Sequence, residues 1–267
     1  MDARAGAVEA LKTDPDAVSI RRSLEVYYGD PAREAAMDAF YARFVRRGDL
    51  VFDIGAHVGD RVGSFRRLGA RVVAVEPQPA CTRALRAIYR DDGEVTVVEA
   101  LCAAGAGSVP FSVNSANPTI STASPHFIRA ADGAAGWEGE RWDAPVDVAS
   151  LTLDGLIAEH GVPAFVKIDV EGYEDEVLAG LGRPLPALSF EFTTIERAVA
   201  QRCLRRLTGL GFQAFNLALG DTMALASPQW MAAPRMAAYL RSLPYEVNSG
   251  DVYGLSRALR HRRGTPA

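Results

Sequence analysis

Residues 51–60 read VFDIGAHVGD, and this stretch decides the fold. Its first four residues are apolar, β-branched or aromatic apart from one acid, which predicts a short strand. Gly55 and Gly59 follow at a spacing that permits a tight turn into a helix. A strand, a glycine turn and a helix N-terminus direct free backbone N–H groups and the helix dipole into one corner. The stretch therefore predicts the nucleotide-binding corner of an α/β sheet.

A second strand ending on an acid follows about twenty residues later. Residues 71–77 read RVVAVEP, so Glu76 lies at the tip of the second strand of a βαβ unit. An acid at that tip can accept hydrogen bonds from both hydroxyls of a ribose. Nicotinamide dinucleotides and S-adenosylmethionine (SAM) both carry this ribose, so either cofactor fits the two strands.

The glycine spacing discriminates between the two cofactors. A dinucleotide fingerprint, G-x-G-x-x-G, needs its second glycine for close approach of the backbone to a pyrophosphate. Here that position is His57, while Asp53 before the turn suits a cation such as the methionyl amino group of SAM. The pattern favours SAM over NAD(P), and a corner that binds no ligand is the structural alternative.

Composition narrows the class of protein. A chain of 267 residues can form one large α/β domain with a helical appendage. A formal net charge of −4 argues against a nucleic-acid partner, because nucleic-acid-binding surfaces are usually basic. No signal-peptide pattern and no apolar run long enough for a membrane span is visible. We therefore expect a cytoplasmic protein without a membrane partner.

Strand and helix patterns alternate through most of the chain. This order predicts a doubly wound, mostly parallel sheet with helices on both faces. The irregular residues 112–146 are interpreted as a lid over the acceptor site or as a solvated insertion loop. The expected segments are an N-terminal helical cap at 1–47, a SAM-binding domain at 48–256 and a basic tail at 257–267. A third strand at 94–101 would end beside the adenine, which makes Ala100 and Leu101 candidate neighbours of the cofactor.

Residues 167–172, KIDVEG, form the second informative motif. Because side chains alternate along a strand, Lys167, Asp169 and Glu171 leave one face together. Burying such charges costs several kcal/mol each unless they pair or bind something. Glu191 on the following strand points to the same sheet edge.

We interpret these four residues as the catalytic cluster. Asp169 would contact the methionyl end of SAM or act as general base, while Lys167 and Glu171 set its charge state and orient the acceptor. The simpler alternative is a Lys167 ion pair that satisfies a buried acid. The acids could hold a divalent cation through oxygen ligands, but no His/Asp/Glu spacing indicates a metal site, so none is assigned.

The motifs together resemble the FkbM family of SAM-dependent methyltransferases over residues 20–255. They are VFDIGAHVG at 51–59, VAVEP at 73–77, TLD at 152–154 and, most specifically, VKIDVEGYE at 166–174. The resemblance implies a class I methyltransferase fold with strand order 3-2-1-4-5-7-6 and an antiparallel seventh strand. It also implies O-methylation of a hydroxyl on a polyketide, sugar or similar metabolite.

The resemblance also implies the roles of the cofactor residues. Glu76 would hold the ribose, and Asp53 would lie in the cofactor turn. The candidate cofactor-binding residues are Asp53, Gly55, Ala56, His57, Gly59, Glu76, Ala100, Leu101 and Asp169. The family often has asparagine where this chain has His57, so the role of that residue does not transfer.

Other functions and partners stay open at this point. The partner is expected to be a small-molecule hydroxyl acceptor, and a homodimer is left open. The alternative functions are a SAM-binding sensor or scaffold without turnover and an NAD(P)-dependent oxidoreductase.

Overall fold

The computed structural model describes residues 3–256 and contains two β-sheets. The large sheet consists of β1 (Leu50–Ile54), β2 (Arg71–Val75), β3 (Val95–Val98), β7 (Phe165–Ile168), β8 (Ala187–Thr193), β9 (Phe212–Leu219) and β10 (Ser249–Ser256). Its order is β3-β2-β1-β7-β8-β10-β9, and β10 runs antiparallel to both of its neighbours. Counted within this sheet alone, the order is 3-2-1-4-5-7-6, which confirms the prediction.

Helices cover both faces of the large sheet. They are α1 (Ala3–Thr13), α2 (Arg21–Tyr27), α3 (Pro31–Tyr41), α4 (Asp60–Arg67), α5 (Pro79–Ile88), α6 (Pro125–Ala131), α7 (Leu153–His160), α8 (Glu174–Ala179), α9 (Arg197–Gly209) and α10 (Ala233–Ser242). Side-chain alternation along β1 sends Phe52 and Ile54 into one core and Val51 into the other. Asp53 shares the face of Val51, which is the face that α1 to α5 cover.

The N-terminal helices α1 to α3 pack on one of these cores. Val8, Leu24 and Phe40 are buried there with Val51 of β1. Asp30 accepts hydrogen bonds from the first backbone N–H groups of α3 and so fixes where that helix begins. The cap is thereby attached to the cofactor face of the sheet.

The middle of the chain differs from the prediction in two respects. The third strand ends at Val98, and Leu101 belongs instead to a small sheet of order β4-β6-β5. This sheet is built from β4 (Leu101–Cys102), β5 (Gly107–Val113) and β6 (Ala144–Leu151). Residues 112–146 therefore contain the end of β5, a short 3-10 helix, α6 and the start of β6. The two strands are half-exposed and lack a clear alternation of apolar and polar residues, so the sequence did not predict them.

Three further features are the absence of a membrane-spanning helix among the described residues, the state of the cysteines and the tail. Among residues 3–256, no helix has the length and apolar character needed to cross a membrane. Cys81, Cys102 and Cys203 are buried and free. The predicted basic tail at 257–267 lies outside the described residues.

Candidate active site

The glycine turn after β1 brings the two sequence motifs into contact. The backbone N–H groups of Gly55 and Ala56 donate to the Val75 carbonyl at 2.9 and 3.1 Å. Gly55 has φ +81°, and a Cβ atom there would lie 1.8 Å from the carbonyl oxygen of Asp169. Only glycine permits this approach, because any side chain would collide with the backbone of the second motif.

Glu76 lies at the tip of β2 with 3% of its surface exposed. One carboxylate oxygen accepts from the His57 N–H and the other from the Gln78 N–H, both at 2.9 Å. Burial raises the pKa of Glu76 to about 7, although these hydrogen bonds act in the opposite direction. Each oxygen keeps a lone pair, so the carboxylate can also accept from a ribose diol.

His57 connects the turn to the N-terminal cap. Its backbone adopts φ +48°, and its ring nitrogens lie 2.8 Å from Ser23 Oγ and 3.4 Å from Cys81 Sγ. Burial lowers the pKa of His57 to about 4, so the imidazole is neutral at neutral pH. A neutral ring between two packed elements fits a structural role at the cofactor turn better than a base.

Asp53 is 1% exposed and lines the central cavity. Its Oδ2 atom has no hydrogen-bond partner within residues 3–256. Burial raises the pKa of Asp53 to about 7, against the attraction of Lys167. A cationic ligand group would supply the partner that the protein does not.

Lys167 is 1% exposed and forms the buried cation of the site. It donates to Asp169 Oδ2 at 2.6 Å and to Asp251 Oδ1 at 3.4 Å. Burial opposes ionisation of Asp169, but the charge and hydrogen bond of Lys167 outweigh burial and hold the pKa of Asp169 below its usual range. The ion pair that was the simpler alternative is therefore present, and it includes Asp251, which was not predicted.

Glu171 follows in a tight turn that other residues hold. It has φ +56°, while the Glu174 carboxylate accepts from the N–H groups of Val170 and Gly172 at 3.1 and 3.2 Å. Thr122 donates to the Glu171 carbonyl at 2.7 Å. A strained residue fixed on both sides is typical of a functional position.

Glu191 on β8 completes the acidic group. Oxygen atoms of Asp169, Glu171 and Glu191 lie within 4.8 Å of one another. Burial and the charges of neighbouring carboxylates raise the pKa of both glutamates well above its usual value. We call these three residues the acid cluster.

A cavity of about 320 Å³ connects Glu76 to the acid cluster. The predicted residues that line it are Asp53, Gly55, His57, Glu76, Ala100, Leu101, Lys167, Asp169, Glu171 and Glu191. Ala56 and Gly59 do not line it. Ala56 is a buried core residue, and Gly59 precedes α4 with φ +88°, where a Cβ would lie 2.5 Å from Leu85.

Four charged residues that form one salt-bridge group, three of them in the cavity lining, were not predicted. Arg33 and Arg61 form salt bridges to both Asp60 and Asp221, which links the cap, α4 and the loop after β9. Asp60 closes the 51–60 stretch, but its three partners lie in no motif, so only the folded chain brings the four together. Asp251 offered a weak signal as the lone acid of its strand, but its position opposite Glu191 is visible only in the folded sheet.

The middle segment covers one side of the cavity. Trp137 lines it, and both Trp137 and Trp142 make edge-on contacts with the buried ring of Phe127. His126 is exposed and its Nδ1 lies 2.9 Å from Arg129, away from the cavity. The aromatic residues thus pack the segment down, and one of them also reaches the site.

The sheet order and the acid-tipped cofactor corner define a class I methyltransferase. A family model described as the methyltransferase FkbM domain matches residues 53–246, which is more than half of the chain. The chain belongs to the FkbM family, and its cofactor is SAM. Family membership removes the NAD(P)-dependent oxidoreductase alternative.

Three known methyltransferases are similar to this chain. The 31-O-demethyl-FK506 methyltransferase FkbM of Streptomyces tacrolimicus is 30% identical over 173 residues, covering 56% of this chain and 66% of that relative. A TehB-like SAM-dependent methyltransferase from Corynebacterium glutamicum gives a TM-score of 0.43 at 12% identity, covering 88% of this chain and 94% of that one. Precorrin-6y C5,15-methyltransferase from Geobacter metallireducens gives 0.41 at 10% identity, with 84% and 87% covered. Because these scores are low, the fold assignment depends on the strand order described above.

Proposed function

We propose that this chain transfers the methyl group of SAM to a hydroxyl oxygen of a small molecule. The observation that carries the proposal is one continuous cavity with cofactor groups at one end and the acid cluster at the other. Its volume of about 320 Å³ lies in the range of small-molecule sites. A small molecule is favoured over a nucleic acid because the lining carries more acids than bases.

The cofactor end would hold SAM by three kinds of contact. Glu76 would accept from the ribose hydroxyls, and Asp53 would pair with the methionyl ammonium group. Ala100 and Leu101, both 5% exposed at the cavity wall, would lie against the adenine. This arrangement would direct the sulfonium methyl group towards Asp169, whose backbone touches the glycine turn.

Methyl transfer then needs alignment and one proton acceptor. The hydroxyl oxygen attacks the methyl carbon, the new O–C bond forms as the C–S bond breaks, and S-adenosylhomocysteine leaves as a neutral thioether. Holding oxygen, carbon and sulfur in line supplies most of the acceleration. The acid cluster would orient the hydroxyl, whose proton passes to a carboxylate or to water.

The carboxylates favour a hydroxyl over an anionic acceptor. They accept hydrogen bonds from O–H donors, while a phosphate or carboxylate would meet like charge. The name of the Streptomyces relative refers to a position on oxygen, which is consistent with this chemistry. Since the match spans 66% of that relative, the acceptor does not transfer.

The test is a methylation assay with SAM and a panel of polyhydroxylated natural products, matched amines and matched carboxylic acids. We expect S-adenosylhomocysteine to form with hydroxyl acceptors, and mass spectrometry with NMR to locate a new O-methyl group. Methylation only at nitrogen or carbon would contradict the proposal. If SAM binds, no acceptor reacts, and Asp169→Ala changes neither affinity nor any output, the chain is a SAM-binding sensor.

A further inference from the structure

Two members of the acid cluster, Glu171 and Glu191, differ from Glu76 and Glu174 because no N–H donor of the described residues reaches their carboxylates. Glu76 and Glu174 each receive two backbone N–H groups. Glu171 is 9% exposed, yet within residues 3–256 no donor reaches its carboxylate. Glu191 Oε2 has no accessible surface and no hydrogen-bond partner in the same part of the chain. A buried carboxylate without donors is costly unless a ligand completes it.

The cations that line the cavity are already used. Lys167 is shared between Asp169 and Asp251. Arg61 forms salt bridges to Asp60 and Asp221. Among the described residues of the lining, no further lysine or arginine faces the acid cluster. Three carboxylates thus share one end of the cavity with a single ammonium group, which also pairs with Asp251.

We propose that Asp169, Glu171 and Glu191 bind one divalent cation of the oxygen-preferring kind, Mg²⁺, Mn²⁺ or Ca²⁺. The three oxygen atoms within 4.8 Å of one another can reach a common ion. Lys167 takes Oδ2 of Asp169, and the second oxygen stays free for the ion because Asp169 faces the cavity. The absence of sulfur and imidazole from the group disfavours zinc and copper.

The geometry of the turn supports this assignment. Glu174 and Thr122 fix the backbone on both sides of Glu171, so its carboxylate is held towards Asp169 and Glu191 before any ligand arrives. The chemical role of the ion depends on the proposed function: it would lower the pKa of a hydroxyl that it binds and so replace a strong general base. Binding itself does not depend on methyl transfer.

The test is direct titration of the full chain after treatment with a chelator. Isothermal calorimetry with Mg²⁺ and Ca²⁺, and EPR with Mn²⁺, should detect one saturable site per chain for at least one of the three ions. Glu171→Gln and Glu191→Gln should each weaken affinity by about tenfold or more, because ligand charge sets affinity in such sites. Glu94→Gln changes an exposed glutamate outside the cavity and should leave affinity unchanged.

Binding of S-adenosylhomocysteine shows whether each variant is folded. If one variant fails this control, the other glutamine variant decides the result. No saturable binding of any of the three ions up to millimolar concentration overturns the inference, as does binding that both variants leave unchanged. Full O-methylation in excess chelator, without ion binding, would overturn the cation site while the proposed function stands. Ion binding in a chain that methylates no hydroxyl would support the cation site and contradict the proposed function.

Discussion

The two ends of the cavity satisfy their acids in different ways. At the cofactor end, Glu76 receives two backbone N–H groups, and the turn that supplies one of them is closed by hydrogen bonds to β2. At the acceptor end, Asp169 shares Lys167 with Asp251, while the Glu171 carboxylate has no donor among the described residues. The fold thus supplies the donors of Glu76, whereas Asp53 Oδ2 at the cofactor end and the glutamates of the acid cluster are left for ligands.

The protein is therefore preorganised around Glu76 and depends on ligands at the acid cluster. Backbone donors do not move, so the cofactor end has nearly its final form without SAM. Carboxylates close together repel until protons, cations or hydrogen-bond donors arrive. The cofactor end should therefore determine affinity for SAM, and the acceptor end should govern stability and chemistry.

The largest effect is expected from Lys167→Met. This change leaves the buried Asp251 and the half-buried Asp169 without their cation, and breaking a buried pair typically costs about 3–5 kcal/mol. The free energy of unfolding, from urea denaturation, measures the loss. A second change, Asp251→Asn, should restore part of it. A loss below about 1 kcal/mol would mean that the acceptor end does not rely on this ion pair.

A smaller loss of unfolding free energy is expected from Gly55→Ala. Gly55 lies where the cofactor turn contacts the backbone of Asp169. The new Cβ would lie 1.8 Å from the Asp169 carbonyl in a residue at φ +81°. Steric displacement and left-handed backbone strain together should cost about 3 kcal/mol, and affinity for S-adenosylhomocysteine should fall with stability. Gly93→Ala is the matched control, because no atom lies within 4 Å of its added Cβ. Equal stability of the two variants would show that the two motifs are not in tight contact.

Glu76→Gln and Glu191→Gln should separate cofactor affinity from acceptor chemistry. An amide at Glu76 sets an N–H against the backbone N–H of His57 or Gln78 and weakens the ribose contact. Calorimetry should show affinity for S-adenosylhomocysteine reduced by about 10- to 100-fold, the value of a charged hydrogen bond. Glu191→Gln should change that affinity by less than about twofold. Equal losses would contradict the division of the cavity into two ends.

Local sequence patterns predicted the parts of the site that depend on local order. The stretch at 51–60 and Glu76 indicated the cofactor corner, because a strand, a turn and a strand end are short-range features. The KIDVEG run indicated the cluster of Lys167, Asp169 and Glu171, but the strand ends at Ile168, so Glu171 reaches the cavity from a turn and not by strand alternation. The large sheet followed from alternation of strand and helix together with the family resemblance.

Long-range contacts could not be predicted in the same way. Asp251 reaches Lys167 only because β10 runs antiparallel beside β8. The contact of Gly55 with the Asp169 carbonyl requires the exact spacing of two strands, which no glycine pattern encodes. The small sheet was missed because β5 and β6 are half-exposed and pair mainly with each other, so neither has a clear period.

A pH titration should sharpen the description of the cofactor end. The pKa values of Asp53 and Glu76 are both raised to about 7, and Asp53 is surrounded by Lys167, Asp60, Arg61 and Asp169. Ammonium and ribose contacts need the ionised carboxylates, so affinity for S-adenosylhomocysteine should fall as pH drops below about 7. Each group contributes up to about tenfold between pH 8 and 6. In Asp53→Asn, the plot of log affinity against pH should lose the contribution of one of the two titrating carboxyls. An unchanged slope would contradict the role of Asp53.

The smallest effect is expected from His57→Asn. Asparagine tolerates the left-handed backbone at φ +48° and keeps the N–H that Glu76 accepts. It loses the ring contacts with Ser23 and Cys81, which should cost about 1 kcal/mol of unfolding free energy. Affinity for S-adenosylhomocysteine should change by less than about threefold, because the backbone donor at the cofactor end remains.

His57→Val is the informative contrast. A β-branched side chain at a positive φ adds strain of about 1–3 kcal/mol in the segment that presents its N–H to Glu76. Thermal unfolding and calorimetry should therefore place valine clearly below asparagine in both stability and affinity. If the two variants bind S-adenosylhomocysteine equally well, the position of the backbone donor is not what sets cofactor affinity. The contrast between Glu76, which the backbone completes, and the acid cluster, which it does not, would then lose its main support.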